Sequence, residues 1–446
     1  MNLRKNYLKY LFSGIFSTII MTIYTLVDSM CIGQYEGANG SAAIACGIPV
    51  WTLIYSTGLL FGVGGATLMM IERGKNDYKK GNEIFTSSLI CATIVCLLLW
   101  LFLNLCQRPL LIFFGAKDSN VLSLITTYTN WLKWGLPFFF FSQYLTVFVR
   151  NDNDPIRATI AVMGGGIINA ILDPIFVFSL NMGINGAGLA TFSGMVFTVI
   201  ILLTHFISKK NQLKIVKVNN FFKVSFLVII TGLSSFLLDI CMGIITIIFN
   251  NQITNYGGEY ATTYLAIYGV IINMVTLVQS LGYAVGQASQ PLLSENVGKK
   301  DTYSVKKYFK YGIITTIVIG LLLFGLFEIL SPQLLTIFIK AQKDSIEMTL
   351  GVKALRIYYI SFLFVVFNVY AIYYFNSILK KTISLIISFG RGLVLPLIML
   401  FTLPIINFDL IWYSMIIVEV LIMIFTIFMM FKTKIENVIS NEEIKG

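Results

Sequence analysis

The sequence predicts an all-α integral membrane protein whose twelve transmembrane helices form two pseudo-symmetric six-helix bundles. Three observations predict it: the composition, a succession of twelve apolar runs, and basic residues gathered on alternate connections. Of the 446 residues, 57% are hydrophobic and only 12% charged, with a mean hydropathy of +0.82. A soluble globular chain carries about 25% charged residues, so half the usual charge is present to cover a water-facing surface. That excludes a soluble enzyme and a disordered scaffold. A spanning helix takes about 20 apolar residues, and twelve spans with short connections use up the whole length. A transmembrane β-barrel would show alternating segments of about 10 residues, and these runs are long and solid.

The runs lie near 10–33, 43–70, 84–106, 122–149, 156–180, 186–208, 223–250, 260–290, 308–331, 350–378, 382–404 and 408–431. Those near 260–290 and 350–378 are the least uniform, broken by polar residues and glycines. The first has the basic start and apolar stretch of a signal peptide. No small-residue cleavage site follows, and Asp28 sits near its far end, so it reads as the first helix. Cys31, Cys46, Cys91, Cys96, Cys106 and Cys241 lie in or at the ends of runs. Their spacing forms no metal or disulfide framework, and they read as small apolar packing residues.

One set of connections, together with both chain ends, carries 24 Lys and Arg residues, and the alternate set carries four: Arg108, Lys117, Lys340 and Lys343. Lys133, Lys353, Arg356 and Arg391 fall inside runs. Positive connections stay in the cytoplasm, so the split expects a multi-pass protein of the cell membrane with both termini cytoplasmic. The net charge of +11 then belongs to loops over anionic lipid and calls for no nucleic acid.

Several chemistries are missing. The lone histidine, His205, falls near the cytoplasmic end of the sixth run, where an interfacial role is expected. There is no phosphate-binding G-x-x-x-x-G-K-[ST] loop and no Ser/His/Asp or metal-ligand cluster. GVGG at 62–65 lacks the strand context of a dinucleotide site and reads as close helix packing. The expectation is a protein that is not an enzyme, has no cofactor, and draws on an ion gradient or passive flow.

The two halves echo each other at a shift of about 222–224 residues. GVGGATLMMIERGKND (62–77) compares with AVGQASQPLLSENVGKKD (284–301), and RPLLIFFGAKD (108–118) with SPQLLTIFIKAQKD (331–344). Pro174 falls opposite Pro396. Six helices per half make this a parallel repeat about an axis along the membrane normal, with the substrate path between the halves. The expected division is an N-terminal lobe at 1–208, a basic cytoplasmic link at 209–222, and a C-terminal lobe at 223–446.

An ionisable residue inside a span is costly and is a functional hypothesis by default. Depth follows from the helical rise of about 1.5 Å per residue. Counted from Lys9, Asp28 lies about 28 Å above the cytoplasmic edge; counted from Arg157, Asp173 lies about 24 Å up. Asn169 is one turn below Asp173 on the same face, and Thr191 is about one and a half turns inside the start of the sixth run. These four groups from three helices share one layer. Carboxylate, amide and hydroxyl oxygens suit a hard cation such as Na⁺, and desolvated carboxylates can instead carry a proton. In the second half Asp239 lies about 24 Å up and Glu419 near mid-depth, which makes both candidates for the substrate cavity; Glu328 reads as interfacial.

The segments YTLVDSMCIGQYEG (24–37), FGVGGATLMMIERGKND (61–77), RNDNDPIRA (150–158) and INAILDPIFVFSLNMGINGAGLAT (168–191), with the echo at 284–301, resemble the multidrug and toxic compound extrusion (MATE) transporters of bacteria. The resemblance covers nearly the whole chain. Asn-x-x-x-Asp-Pro followed by Gly-x-x-Gly-Ala-x-x-Ala-Thr is its specific part. It implies a V-shaped molecule, and an ion site that maps onto Asp28, Asn169, Asp173 and Thr191. It also implies a monomeric antiporter driven by H⁺ or Na⁺ that exports amphipathic, often cationic, organic compounds. Two positions depart from the pattern. Ser13 stands where relatives often carry proline, so a bend of the first helix would need another hinge. Asp239 stands where many have a neutral polar group. A lipid-linked oligosaccharide flippase of the same broad superfamily is the alternative; twelve spans and few basic residues for a pyrophosphate argue against it.

Overall fold

A computed structural model describes residues 3–116, 118–339 and 345–433. Lys117, Lys340, Lys343, Lys434 and Lys445 of the charge argument lie outside the described residues, as does the end of the 331–344 echo. No strand occurs among the described residues. In chain order the spans are α1 (Leu3–Gly37), α2 (Ala43–Gly74), α3 (Tyr78–Phe113), the two-part α4 (Ser119–Trp134 and Leu136–Asn151), α5 (Pro155–Ser179), α6 (Gly183–Ile207) and α7 (Phe221–Tyr256). The remaining five are α8 (Thr263–Gly298), α9 (Thr302–Ile337), α10 (Ile346–Ser377), α11 (Lys381–Ile406) and α12 (Phe408–Lys432). Among the described residues eleven of these spans are long and apolar enough to cross a membrane, one of them, α10, with a break at Ile360–Ser361. The twelfth, α4, is broken at Gly135, where Pro137 in the next turn has no N–H to continue the hydrogen-bond ladder. Between α1 and α2 the chain turns at Gly37, whose φ of 65° is open to glycine at no steric cost.

The repeat is written into the turns. Asn76 and Lys300 both take a left-handed φ, 64° and 60°, at the ends of α2 and α8. Each turn closes with the same bond, Asp77 N–H to Glu72 C=O at 3.0 Å and Asp301 N–H to Asn296 C=O at 3.0 Å. The two aspartates then cap the next helix alike: Asp77 accepts from Lys80 N–H at 2.8 Å, and Asp301 from Ser304 N–H at 3.0 Å. Asn153 and Leu379 form a second matched pair after α4 and α10, with φ of 61° and 59°. Helix contacts repeat as well. Gly62 of α2 lies against Val147 of α4, where a Cβ would stand at a tight 3.2 Å, and Gly286 of α8 lies against Tyr373 of α10, where it would stand at 2.4 Å.

By packing, the chain divides into two compact units: Phe12–Phe236, and Leu237–Gly446 together with the first eleven residues. In the first unit the GVGG run serves close packing, since a Cβ on Gly64 would stand 2.1 Å from the carbonyl oxygen of Val228. The outer face of α3 is apolar and uncovered, with Leu97, Leu98, Leu101 and Leu105 exposed, as a lipid-facing helix requires once its backbone polar groups are satisfied within the helix. In the second unit α10 is the central helix, with Val366, Val369, Tyr370 and Tyr373 buried, and Tyr7 from the start of α1 bonds Thr315 of α9 at 3.0 Å. All six cysteines are free thiols.

Candidate functional site

In the first unit, small residues bring α5 and α6 nearly into backbone contact. A Cβ on Gly165 would stand 2.6 Å from the Gly194 carbonyl oxygen and 2.0 Å from Thr198 Oγ1. That crossing sets Asn169, one turn on, within reach of α6. Its Nδ2 lies 3.2 Å from Thr191 Oγ1 and 3.4 Å from Asp173 Oδ1. Helix α1 packs on the same face of α5 at Gly166, where a Cβ would meet Ile20 and Tyr24, and so brings in Asp28 one turn beyond Tyr24. The structure therefore gathers the sequence-derived quartet around one centre. All four side chains are buried.

Tyr128 completes the centre and was not among the sequence candidates. Its hydroxyl donates to Asp28 Oδ2 at 3.1 Å. The first half of α4 holds it there because Trp131, one turn on, packs against Gly188 and donates its indole N–H to Asn185 at 2.8 Å. Three acceptors remain without a partner: Asp28 Oδ1, Asp173 Oδ2 and Asn169 Oδ1. Buried polar atoms are normally hydrogen-bonded. Two carboxylates with spare oxygens beside an amide and a hydroxyl form a donor set that fits a proton or a hard monovalent cation.

The second unit holds the other two candidates apart, each with its own partners. Asp239 Oδ1 accepts from the Tyr283 hydroxyl at 2.7 Å, Gln279 Nε2 donates to that hydroxyl at 2.7 Å, and Asp239 Oδ2 has no partner. Glu419 is fully buried and engaged on both oxygens, by Arg391 Nε at 2.7 Å and by Asn368 Nδ2 at 2.7 Å. Glu328 pairs with Arg356 at 3.3 Å.

A third polar cluster closes the end of the first unit where α4 turns into α5. Asp152 is buried and binds Arg73, His205 Nε2 at 2.7 Å and the N–H of Gln212 at 2.8 Å. Asp154 binds Arg157 at 2.9 Å and Lys210 at 2.8 Å. Burial alone would raise the Asp152 carboxyl, but the His205 hydrogen bond, the Arg73 charge and the Gln212 N–H together hold it below the usual carboxylate range. Asp154 is held low in the same way, against burial, by Lys210 and Arg157. The basic link is fastened alongside, Lys214 N–H to Asn82 at 3.2 Å and Val216 N–H to Thr86 at 3.1 Å. His205, expected at an interface, is thus a buried member of an ionic network. The motif RNDNDPIRA had shown the charges, though not their partners across 53 residues.

Residues 14–175 and 235–402, well over half the chain, match the MatE family. The chain belongs to the MatE family. Both matched stretches carry parts of the buried centres: Asp28, Asn169 and Asp173 in the first, Asp239 and Arg391 in the second. The MatE chain is similar to the multidrug export protein MepA of Staphylococcus saprophyticus, 23% identical over 68% of this chain and 66% of the relative. It is also similar to MepA of Staphylococcus aureus, 25% identical over 63% and 61%. The matches thus span somewhat under two thirds of these relatives. Its fold is that of a MOP-superfamily transporter from Pyrococcus furiosus, with a TM-score of 0.88 at 20% identity over 99% of this chain and 98% of that one. An outward-facing multidrug resistance MATE transporter gives the same score, identity and coverage. MatE proteins are multi-pass membrane transporters, not enzymes.

Proposed function

We propose that this MatE protein is a monomeric secondary antiporter of the bacterial cell membrane. It exports amphipathic, cationic organic compounds by alternating access between its two halves, driven by inward movement of H⁺ or Na⁺ through Asp28, Asn169, Asp173 and Thr191. The observation that carries this reading is the pair of buried carboxylates, Asp28 and Asp173, each with a spare oxygen, the second bonded to the Asn169 that reaches Thr191. Two such anions at membrane depth are costly unless a cation or proton joins them. A site that is stable loaded and unstable empty couples ion entry to a change of conformation, because the ion favours the state that binds it better. Asp239, with its own spare oxygen, is the carboxylate offered to a cationic substrate.

The in-span basic groups speak against the flippase alternative. Lys133 binds Gln107 at 3.0 Å, Lys353 binds Asp409 at 2.5 Å, Arg356 binds Glu328, and Arg391 binds Glu419. Each is already engaged, which leaves a pyrophosphate headgroup without a counter-charge from this set. The deciding experiment is efflux of a cationic dye from proteoliposomes with the H⁺ and Na⁺ gradients collapsed separately. Efflux should stop when one of the two is removed. Efflux at an unchanged rate with both collapsed would overturn the reading.

A further inference from the structure

The second unit contains a buried polar centre that includes the position answering to Asn169 of the first. When the repeat sets Pro174 opposite Pro396, Asn169 of α5 falls opposite Arg391 of α11. Asn169 reaches to the next helix, α6, and bonds Thr191 at 3.2 Å. Arg391 likewise reaches to its next helix, α12, and bonds Glu419 at 2.7 Å. Asn368, from α10, adds a second bond to Glu419 at 2.7 Å. The reach from one helix to the next is shared, but the charge is not.

In the first centre two carboxylates face an amide and hydroxyls, and three acceptor oxygens are unpartnered. In the second a single carboxylate has both oxygens taken, one by a guanidinium. Arg391 is 6% exposed and Glu419 fully buried. A guanidinium keeps its proton in proteins, so this positive charge can neither dissociate nor be discharged. Its backbone is also unusual. Gly390–Val394 is a π-helical turn inside α11, a feature that recurs at functional sites, and Gly392 within it packs so close to Cys241 that a Cβ would stand at 2.9 Å.

We propose that Arg391 is a tethered cation that fills, in the second unit, the place a mobile cation or proton takes in the first, so that Glu419 is permanently neutralised and ion exchange is confined to the first unit. The inference rests on the ion-coupled reading above and deepens it. Glu419 is then neither a substrate ligand nor a second coupling group; it is the counter-charge of a fixed internal ion. One sequence half has replaced a site that fills and empties with one that is always full.

The test counts cations on purified protein, independently of export. Arg391→Gln should hold one more monovalent cation per molecule than the wild type, read as one additional protonated-carboxyl signal in the infrared or one additional bound radioactive Na⁺. The extra signal should vanish in Arg391→Gln combined with Glu419→Gln. A folded Arg391→Gln protein with the wild-type proton and sodium content would overturn the proposal. Should the single variant fail to accumulate, the double variant, which strands no charge, carries the test in proteoliposomes: it should keep the wild-type number of coupling ions per exported dye. A changed ratio would place the pair in the coupling path and overturn the proposal. Failure of the ion-coupled reading itself would show elsewhere, as wild-type efflux indifferent to both gradients.

Discussion

Asp28 and Asp173 differ from every other acid among the described residues in lying together, buried, with an unpartnered oxygen each. Asp28→Asn and Asp173→Asn should each abolish gradient-driven dye export while the protein still accumulates in the membrane. Wild-type export by both variants would remove these residues from coupling. Thr191→Ala removes one neutral ligand and should cost less, a partial loss of rate in the same assay. Asp239 poses a separate question, since its second oxygen is free while its first is held by Tyr283. If it attracts substrate cations across a low-dielectric wall, Asp239→Asn should depress export of permanently cationic dyes and spare neutral ones. Equal export of both by a well-expressed variant would assign it to the packing of its own unit. Depth counting along the sequence reached the quartet because helical rise converts residue number into height. It could not reach Tyr128, whose hydroxyl meets Asp28 across 100 residues of chain and whose own run gives no hint of which way the ring faces.

Helix crossings decide whether those residues meet. Gly165 and Gly194 let α5 and α6 approach to backbone contact, and overpacking such a contact costs about 1–3 kcal/mol. Gly165→Ala should therefore push the helices apart, weaken the Asn169–Thr191 bond and lower ion-driven export in protein that still inserts. Wild-type transport by that variant would show that the crossing is not needed at its present spacing. The Asp152–Asp154 cluster makes a prediction about stability. Removing one member of a buried ion pair strands the other, at about 3–5 kcal/mol, so Asp152→Ala should lower the thermal unfolding temperature in detergent markedly. Asp152 and Asp154 sit below their ordinary values in the folded protein. Their contribution is therefore complete above the unfolded carboxyl value of about 3.9 and is lost as pH falls through the lower folded values. The unfolding temperature should fall across that acid window and fall less steeply in Asp152→Asn. An unchanged acid profile would dissociate these carboxyls from stability.

On the scale of the molecule, the alternation of basic connections assigns a side to every loop. Asn220→Cys, in the basic link, and Glu259→Cys, in the exposed turn between α7 and α8, test that assignment in an otherwise cysteine-free chain. An impermeant thiol reagent should label Glu259→Cys in intact cells and Asn220→Cys only after permeabilisation. The opposite pattern would invert the topology. The repeat read from segments 62–77 and 284–301 reappears in the turn geometry at Asn76 and Lys300. Two halves with matched turns and caps nevertheless differ in buried charge, because side chains at several repeat positions differ, Asn169 against Arg391 among them.

Sequence by itself determined the class of the fold and the succession of spans, because a hydrocarbon solvent leaves few choices. Every backbone polar group must be satisfied within a helix, charge must stay at the edges, and height follows from residue count. Rotation was not determined. A span surrounded by lipid on one side and other helices on the rest is apolar nearly all round, so periodicity does not say which face carries a partner. Only the tertiary structure decided that Glu419 meets Arg391, that His205 is buried between Asp152 and Asp154, and that Asp28 keeps one oxygen free. Each depends on helices far apart in the chain approaching through glycines whose packing role becomes visible once both backbones are in place.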